Sequence, residues 1–467
     1  MPQHHHDTQY AQASQQLCAL SNQQWQWFVQ EYLPGDLDEQ ALHYKAFRRK
    51  RHLASPSDLL RGLLCYMLSQ SSLRQLSLWS AATQPNSPPL SKQAWHQRLR
   101  QSTDWLMWIA NTLLAHQTQT TAVQGQVSGR LLLVDGTHFT CRGPHGTSWQ
   151  VRATYHLLTS QLASLRVKRG TGGENLCDLP LQHGDVVVAD AGHSHPKSVF
   201  AVAEQGAWSL IRWSPFHLPL AELTPESATE KPAMIDWHQW LQSLPVGVHQ
   251  KDVQVLHAHK CVRLHLIVEV PPAEEAERMR ERKRQQDRDK GRKSTDDAIF
   301  AAGFLLLVTS IPETYWSAAQ VIEAYQSRWH VETLFKRFKQ VIDAHHLDCT
   351  RADTAQAMVA TLLVAWLLVE QQTEQTSQLL VEAQKSQQQD ATPTSLYQLN
   401  RLSAQGVEQI VKGYWDPRTL KSHIRQCIRL LRDKRQRPIL EQQRRVHFQK
   451  EFARLSGDDA IFSCSSA

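Results

Sequence analysis

Apolar residues recur at three- and four-residue intervals through the first 125 positions. The segment "SDLLRGLLCYMLSQSSLRQLSLWSAA" carries this helical spacing, with Ser57 or Asp58 as N-caps. "TQPNSPP", Thr83 to Pro89, interrupts it as a turn, and "LSKQAWHQRLRQSTDWLMWIANTLL" starts a fresh helix near Ser91. A helix, a short turn and a second helix bearing Lys92, Gln93, His96 and Arg98 fit either a helix-turn-helix DNA reader or a plain helical bundle.

Near residue 130 the periodicity changes. "RLLLVDGTHFTC" is a short apolar run ending at Asp135, the pattern of a buried strand. "SWQVRATYHLL" and "LASLRVKRG" read as further strands, and "GDVVVADAGHSH" as a second buried strand ending at Asp190. "PKSVFAVAEQ" is helical and "AWSLIRWS" strand-like, so a mixed sheet with helices on its faces is expected. From about 215 to 300 the chain reads as a β-rich insertion. "VQVLHAHKCVRLHLIVEV" alternates as a strand does and runs into a charged segment. "FLLLVTSI" resumes the sheet, and "WSAAQVIEAYQSRWHVETLFKRFKQVI" reads as one long helix opened by a Ser317–Gln320 capping box. The run "AMVATLLVAWLLV" is too short to span a bilayer and reads as a core helix. A Gln-rich tract and a basic helical tail follow.

Composition narrows the class. The 467 residues suffice for two to four domains, and 41% hydrophobic with 20% charged residues suits a globular chain. Lys and Arg exceed Asp and Glu by 51 − 44 = 7, and the pI is about 9.0, which favours a polyanionic partner over a small acidic metabolite. The charged segment adds to this: Arg278 to Lys293 holds nine basic residues against Glu281, Asp287 and Asp289. Such a run is ordinarily a solvated helix or loop, and inside a basic protein it also suits phosphate contact. The eight cysteines are scattered without a CxxC pair, which argues against a zinc ribbon and fits a reducing compartment. The polar start "MPQHHHDTQYAQASQQ" has no signal-peptide core, so a cytoplasmic, nucleoid-associated protein with no membrane role is expected. "GTGGE" lacks the Gly-Lys-Ser/Thr of a P-loop, so no nucleotide cofactor is implied. His257, His259 and Cys261 read as exposed strand residues in preference to a zinc cluster, while His193 and His195 lie close to an acid.

Three acids sit where acids are expensive: Asp135 and Asp190 at strand ends, and Glu332 on a largely apolar helix. Converging carboxylates of this kind suit Mg²⁺ or Mn²⁺, and two such ions can activate a nucleophile and stabilise a leaving oxygen. Each Asp taken alone would be a turn cap. At 100° per residue on one continuous helix, Tyr325, Arg328, Glu332 and Lys339 share an arc of roughly 60°, a grouping suited to holding phosphate oxygens.

The spacing Tyr325-x2-Arg328-x3-Glu332-x6-Lys339 resembles the YREK signature of bacterial insertion-sequence DDE transposases, the family of the insertion-sequence-four and Tn-five type. The surroundings of Asp135 and Asp190 and the helix "HQRLRQSTDWLMWIANTLL" are similar to that family as well, over roughly residues 55 to 370. The resemblance implies an RNase H-like mixed-sheet core, interrupted by a β-rich insertion and flanked by helical regions. The expected division is a helical DNA-binding region at 1–125, core at 126–214, insertion at 215–300, core again at 301–370, and a C-terminal helical region at 371–467 that serves dimerisation. It implies that Asp135, Asp190 and Glu332 are catalytic and bind two Mg²⁺ or Mn²⁺ ions. Tyr325, Arg328 and Lys339 would contact DNA phosphates. Arg212 and Trp213 are further DNA contacts, and Trp213, Trp237, Trp240 and Trp316 are candidates to stack on a flipped base. The implied activity is metal-dependent cleavage at transposon ends and transfer of the 3′-OH into target DNA, carried out on double-stranded DNA by a homodimer. Two alternatives stand beside it: an inactive transposase-derived DNA-binding protein, and an RNase H-like nuclease without strand transfer.

Overall fold

The computed structural model describes residues 19–426, apart from 51, 70, 84–87, 123–128, 143–147, 160, 171–174, 224–231, 259, 343–345, 387–394 and 416. The expected turn at Thr83–Pro89, the "GTGGE" loop and the Gln-rich tract lie partly outside the described residues, and the basic tail lies almost wholly outside them.

The sheet begins with β1 (Leu131–Cys141), β2 (Ser148–His156) and β3 (Gln161–Arg169), an antiparallel meander. β4 (Val186–Ala189) pairs in parallel with β1, and β5 (Trp208–Arg212) in parallel with β4. The order β3-β2-β1-β4-β5, with three antiparallel strands followed by two parallel ones, is an RNase H-like core. The parallel step from β4 to β5 needs a crossover, and α7 (Pro196–Ala203) supplies it.

The β-rich insertion does not fold apart from this sheet. β6 (Ala221–Glu222), β7 (Gly247–His257), β8 (Lys260–Val270) and β9 (Leu305–Thr309) extend it past β5 in the order β9-β8-β7-β6. The run "VQVLHAHKCVRLHLIVEV" therefore belongs to two strands rather than one. It doubles back at Ala258, whose φ of 49° turns the chain without a glycine. α8 (Trp237–Ser243), α9 (Ala273–Asp289) and α10 (Asp296–Ala301) accompany these strands. The charged segment forms α9, and much of its charge is answered locally. Glu277 and Glu281 bind Arg280, Arg284 and Arg288, and Asp287 binds Lys283 at 2.7 Å.

Among the described residues, six helices precede β1. They are α1 (residues 19–32), α2 (Leu37–His43), α3 (Pro56–Leu68), α4 (Leu73–Thr83), α5 (Lys92–Gln101) and α6 (Thr103–Ala122). The N-cap of α3 is Ser55, not Ser57 or Asp58. Pro56 fits the first helical position, and Ser55 and Asp58 form a capping box. α5 begins after Ser91 as its sequence indicates, and one side of it packs into the protein while Lys92 and Gln93 stay exposed. Trp95 and Leu99 are buried, His96 Nε2 lies 3.0 Å from Thr354 Oγ1, and Arg98 covers the Phe47 ring.

Beyond β9 come α11 (Ala318–Gln326), α12 (Trp329–Ile342), β10 (His346–Leu347), α13 (Ala352–Ser386), α14 (Leu396–Lys412) and α15 (Pro417–Gln426). β10 pairs in parallel with the end of β1. α13 is longer than the apolar run inside it, and Ala352–Gln378 has the length and composition to cross a membrane. Its most apolar window is 83% buried against the protein's own helices and sheet, so α13 is a core helix. Among the described residues two apolar cores result. One joins the N-terminal helices, α11 to α14 and one face of the sheet; the other fills the opposite face beneath α7, α8 and the insertion strands.

Candidate active site

Strand alternation aims the first acid. Leu131, Leu133 and Phe139 belong to the core shared with the helices, whereas Val134 belongs to the opposite core. Asp135 shares the odd-numbered face and so points toward α12, as Phe139 does in meeting Phe338 at 5.6 Å. It does not end its strand: β1 continues six residues further, because β2 pairs with it through Thr140. The Gly136 N–H donates to Asp135 Oδ1 at 2.8 Å.

Asp190 arrives from the neighbouring strand. β4 pairs Val188 with Leu133 and ends at Ala189; Asp190 then caps the 3₁₀ turn Ala191–His193 by accepting the Gly192 N–H at 3.0 Å. The Ser317–Gln320 capping box starts α11, as its sequence predicts. The long helix expected after it is instead two helices. At Ser327 and Arg328 the backbone closes i→i−3 bonds, Ser327 to Ala324 and Arg328 to Tyr325, and His330 Nδ1 lies 3.0 Å from the Ser327 carbonyl. Tyr325 thus lies in the last turn of α11, Arg328 sits in the break, and Glu332 and Lys339 lie on α12.

The break makes Arg328 the hub. Its Nη1 lies 3.8 Å from Asp135 Oδ2, its Nη2 is ion-paired with Glu332 Oε1, and its Cζ lies 5.9 Å from the Tyr325 ring centre. Burial pushes Asp135 up to about 6; the Gly136 N–H and Arg328 oppose this, while Asp190 and Glu332 add to it. Burial also raises Tyr325, against the pull of Arg328 and Arg212. Burial alone would lower Arg328, but Tyr325, Glu332, Asp135 and Asp190 hold it above the ordinary arginine range. Three carboxylates, Tyr325, Arg328 and Arg212 therefore share one electrostatic neighbourhood. Lys339 lies on α12 two turns, about 10 Å, beyond Glu332.

Two further groups belong to this neighbourhood. His193 is 1% exposed and is pushed down to about 4 by burial, with Arg152 and Arg328 adding to the effect. It is a neutral imidazole beside Asp190. Arg152, absent from the sequence expectations, is buried on β2 opposite Gly136 and donates to the Asn175 carbonyl. Its signal was an arginine inside "QVRATY", a run otherwise fit for a buried strand.

The tryptophans separate. Trp213 is 4% exposed, and its indole N–H is spent on the Leu218 carbonyl at 2.8 Å, so it is a core residue rather than a surface one. Trp316 is buried too. Trp237 and Trp240 are half-buried on α8, the former against exposed Phe216 and the latter beneath Lys251.

Residues 127–368 match the family model of the transposase DDE domain. The chain belongs to the DDE transposases of insertion sequences. It is 31% identical over 355 residues to the transposase for insertion sequence element IS421 from Escherichia coli, covering 72% of this chain and 90% of that one. It is 30% identical over 354 residues to InsL of insertion sequence element IS186A from Escherichia coli K12, with the same coverage. The transposase for insertion sequence element IS231F from Bacillus thuringiensis subsp. israelensis is 22% identical over 394 residues, covering 77% of this chain and 82% of that one.

DDE transposase domains use a divalent metal, and the donor set here suits one. Its side chains are carboxylates, the ligands of hard cations. Asp135, Asp190 and Glu332 leave a surplus of negative charge that the Arg328 guanidinium offsets only in part, and this adds to the burial that holds Asp135 high. Among the described residues no three acidic, His or Cys side chains already stand at ligating spacing. Arg328 stands beside both Asp135 and Glu332.

Proposed function

We propose that this transposase cuts DNA at the ends of an insertion sequence and joins the freed 3′ ends to target DNA. The observation that carries this reading is the convergence of Asp135, Asp190 and Glu332 on Arg328 inside a DDE domain. Asp135, Asp190 and Glu332 would hold two Mg²⁺ or Mn²⁺ ions, which when bound supply Lewis-acid activation of the attacking oxygen and neutralise charge on the leaving one.

The chain's own residues do the positioning. Arg328 offers a planar fork to a phosphodiester, Lys339 and Arg212 offer further positive charge, and Tyr325 offers a hydroxyl donor. Water adds to the phosphorus at the element end and the P–O3′ bond breaks, leaving a 3′-OH and a 5′-phosphate. The same phosphate-binding groups then set the 3′-OH in line with a target phosphodiester, whose own 3′ oxygen leaves. A synaptic homodimer holding two ends is part of the proposal, with the C-terminal helices as its contact.

The test is an incubation of purified protein with Mg²⁺ and DNA carrying the element's ends and a target. Nicks with 3′-OH termini and joined products, both abolished in Asp135→Ala, are expected. Nicks without joined products would favour a nuclease. Binding without nicks, unaltered by Asp135→Ala, would favour a non-catalytic DNA-binding protein.

A further inference from the structure

Two thiols meet at the far end of the strand that carries Asp135. Cys141 closes β1, and Cys349 lies between β10 and α13. Their sulfurs are 3.9 Å apart. The backbone holds both chains in place around them: Cys141 is the register partner of Leu347, and the Arg142 N–H donates to the Cys349 carbonyl at 3.1 Å. An ion pair between Arg142 and Asp348, at 3.3 Å, adds a second tie. Cys141 is 7% exposed, whereas Cys349 is half-buried and reachable from solvent. Among the described residues all five cysteines are free thiols.

We propose that Cys141 and Cys349 are a redox-active pair that a peroxide-class oxidant converts to an intramolecular disulfide. The more accessible Cys349 thiol gives a sulfenic acid and water with one hydrogen peroxide. The Cys141 thiol then displaces that hydroxyl, released as a second water, and the S–S bond forms. Closing from contact distance to a bond of about 2 Å is a matter of side-chain rotation, since the backbones are already side by side. Burial, with Cys141 next in effect, pushes Cys349 up to about 12, so at neutral pH it is almost entirely thiol and its first step with peroxide is slow.

The bond would close a loop whose ends lie 208 positions apart. That loop contains Asp190, the insertion strands and Glu332, and its two ends would be fixed beside the strand bearing Asp135. A cross-link of that span restricts the unfolded chain strongly and leaves the folded one in place.

The full chain is treated with hydrogen peroxide, alkylated, digested and mapped by mass. A Cys141–Cys349 peptide pair lacking two hydrogens is expected, restored to free thiols by dithiothreitol. The oxidised wild type is expected to melt several degrees higher than the reduced protein, with no such rise in Cys141→Ser or Cys349→Ser. If a serine variant does not fold, the wild-type peptide map decides alone. The inference is overturned if both cysteines remain alkylatable after peroxide. A sulfinic acid at Cys349, or a bond to any other cysteine, overturns it equally.

Discussion

Arg328 Nη1 stands 3.8 Å from Asp135 Oδ2, so a strand residue and a residue of a helix break almost two hundred positions later share one charge system. Arg328 can do this because it lies between α11 and α12 rather than on a helix face. Its side chain is only 16% exposed and that of Asp135 18%, so water screens the pair weakly.

Asp135 has a stability consequence whose sign is fixed. Its carboxyl titrates near 6 in the folded protein and near 3.8 when unfolded. The stabilisation from keeping it protonated is therefore complete below about pH 4 and lost as pH rises through about 6. Asp135→Asn is expected to melt higher than wild type at pH 7.5 in the presence of chelator, by up to about 2–3 kcal/mol. That gap should vanish near pH 4. Thermal melts at both pH values test it; a variant less stable than wild type at pH 7.5 would contradict the burial argument.

Removing the counter-charge should do the reverse. Arg328→Ala leaves Asp135, Asp190 and Glu332 without their guanidinium, and a loss of roughly 2–4 kcal/mol at neutral pH is expected in chelator. Acidification to pH 4 should shrink the loss, because Asp135 then carries no charge. Urea titrations at the two pH values measure both numbers.

For DNA contact, salt is the informative variable. Lys339→Ala should weaken binding to unrelated duplexes and element ends alike, and lower the slope of log K against log salt by about one. Trp213→Phe, which keeps a buried aromatic, should leave that slope untouched. Equal slopes for wild type and Lys339→Ala would remove Lys339 from the DNA path.

A second buried arginine offers a test of fold alone. Arg61 is 2% exposed, stacks against Trp25 and Trp79, and donates to the Val411 carbonyl, Asn22 and Ser21. Gly413, which ends α14 with φ 86°, leaves room there; a Cβ would strike Ser21 Oγ and the Arg61 guanidinium. Arg61→Met and Gly413→Ala should each cost about 2–4 kcal/mol in urea unfolding. Arg61→Lys should not recover the loss, since an ammonium cannot reproduce the three-way fork.

Much of this site was legible because its residues announce themselves locally. Acids after apolar runs at Asp135 and Asp190 are costly, and four polar residues at fixed spacing around Glu332 are conspicuous. The helix break was not legible: "YQSRWHVE" contains no Pro or Gly, and local i→i−3 bonds and the His330 contact accompany the break. The β7–β8 turn hid for a similar reason, since Ala258 takes a positive φ with no glycine to mark it. Pairing of β9 with β5, and so the joining of the insertion to the core sheet, depends on contacts about a hundred residues apart that no periodicity encodes. Trp213 looked like a surface aromatic beside Arg212 because alternation does not tell a strand's last residue from the first residue of a buried loop.

The placement of α13 governs when this chain can fold. Its buried residues sit in the same core as those of α1 to α6, yet it is made more than two hundred positions after α6 ends. On the ribosome the N-terminal helices therefore emerge with their apolar faces uncovered and must wait for that partner. A chain stopped before residue 352 would carry all three acids and no central helix to close over its leading bundle. Arrival of α13, rather than of Glu332, is what lets the leading bundle close.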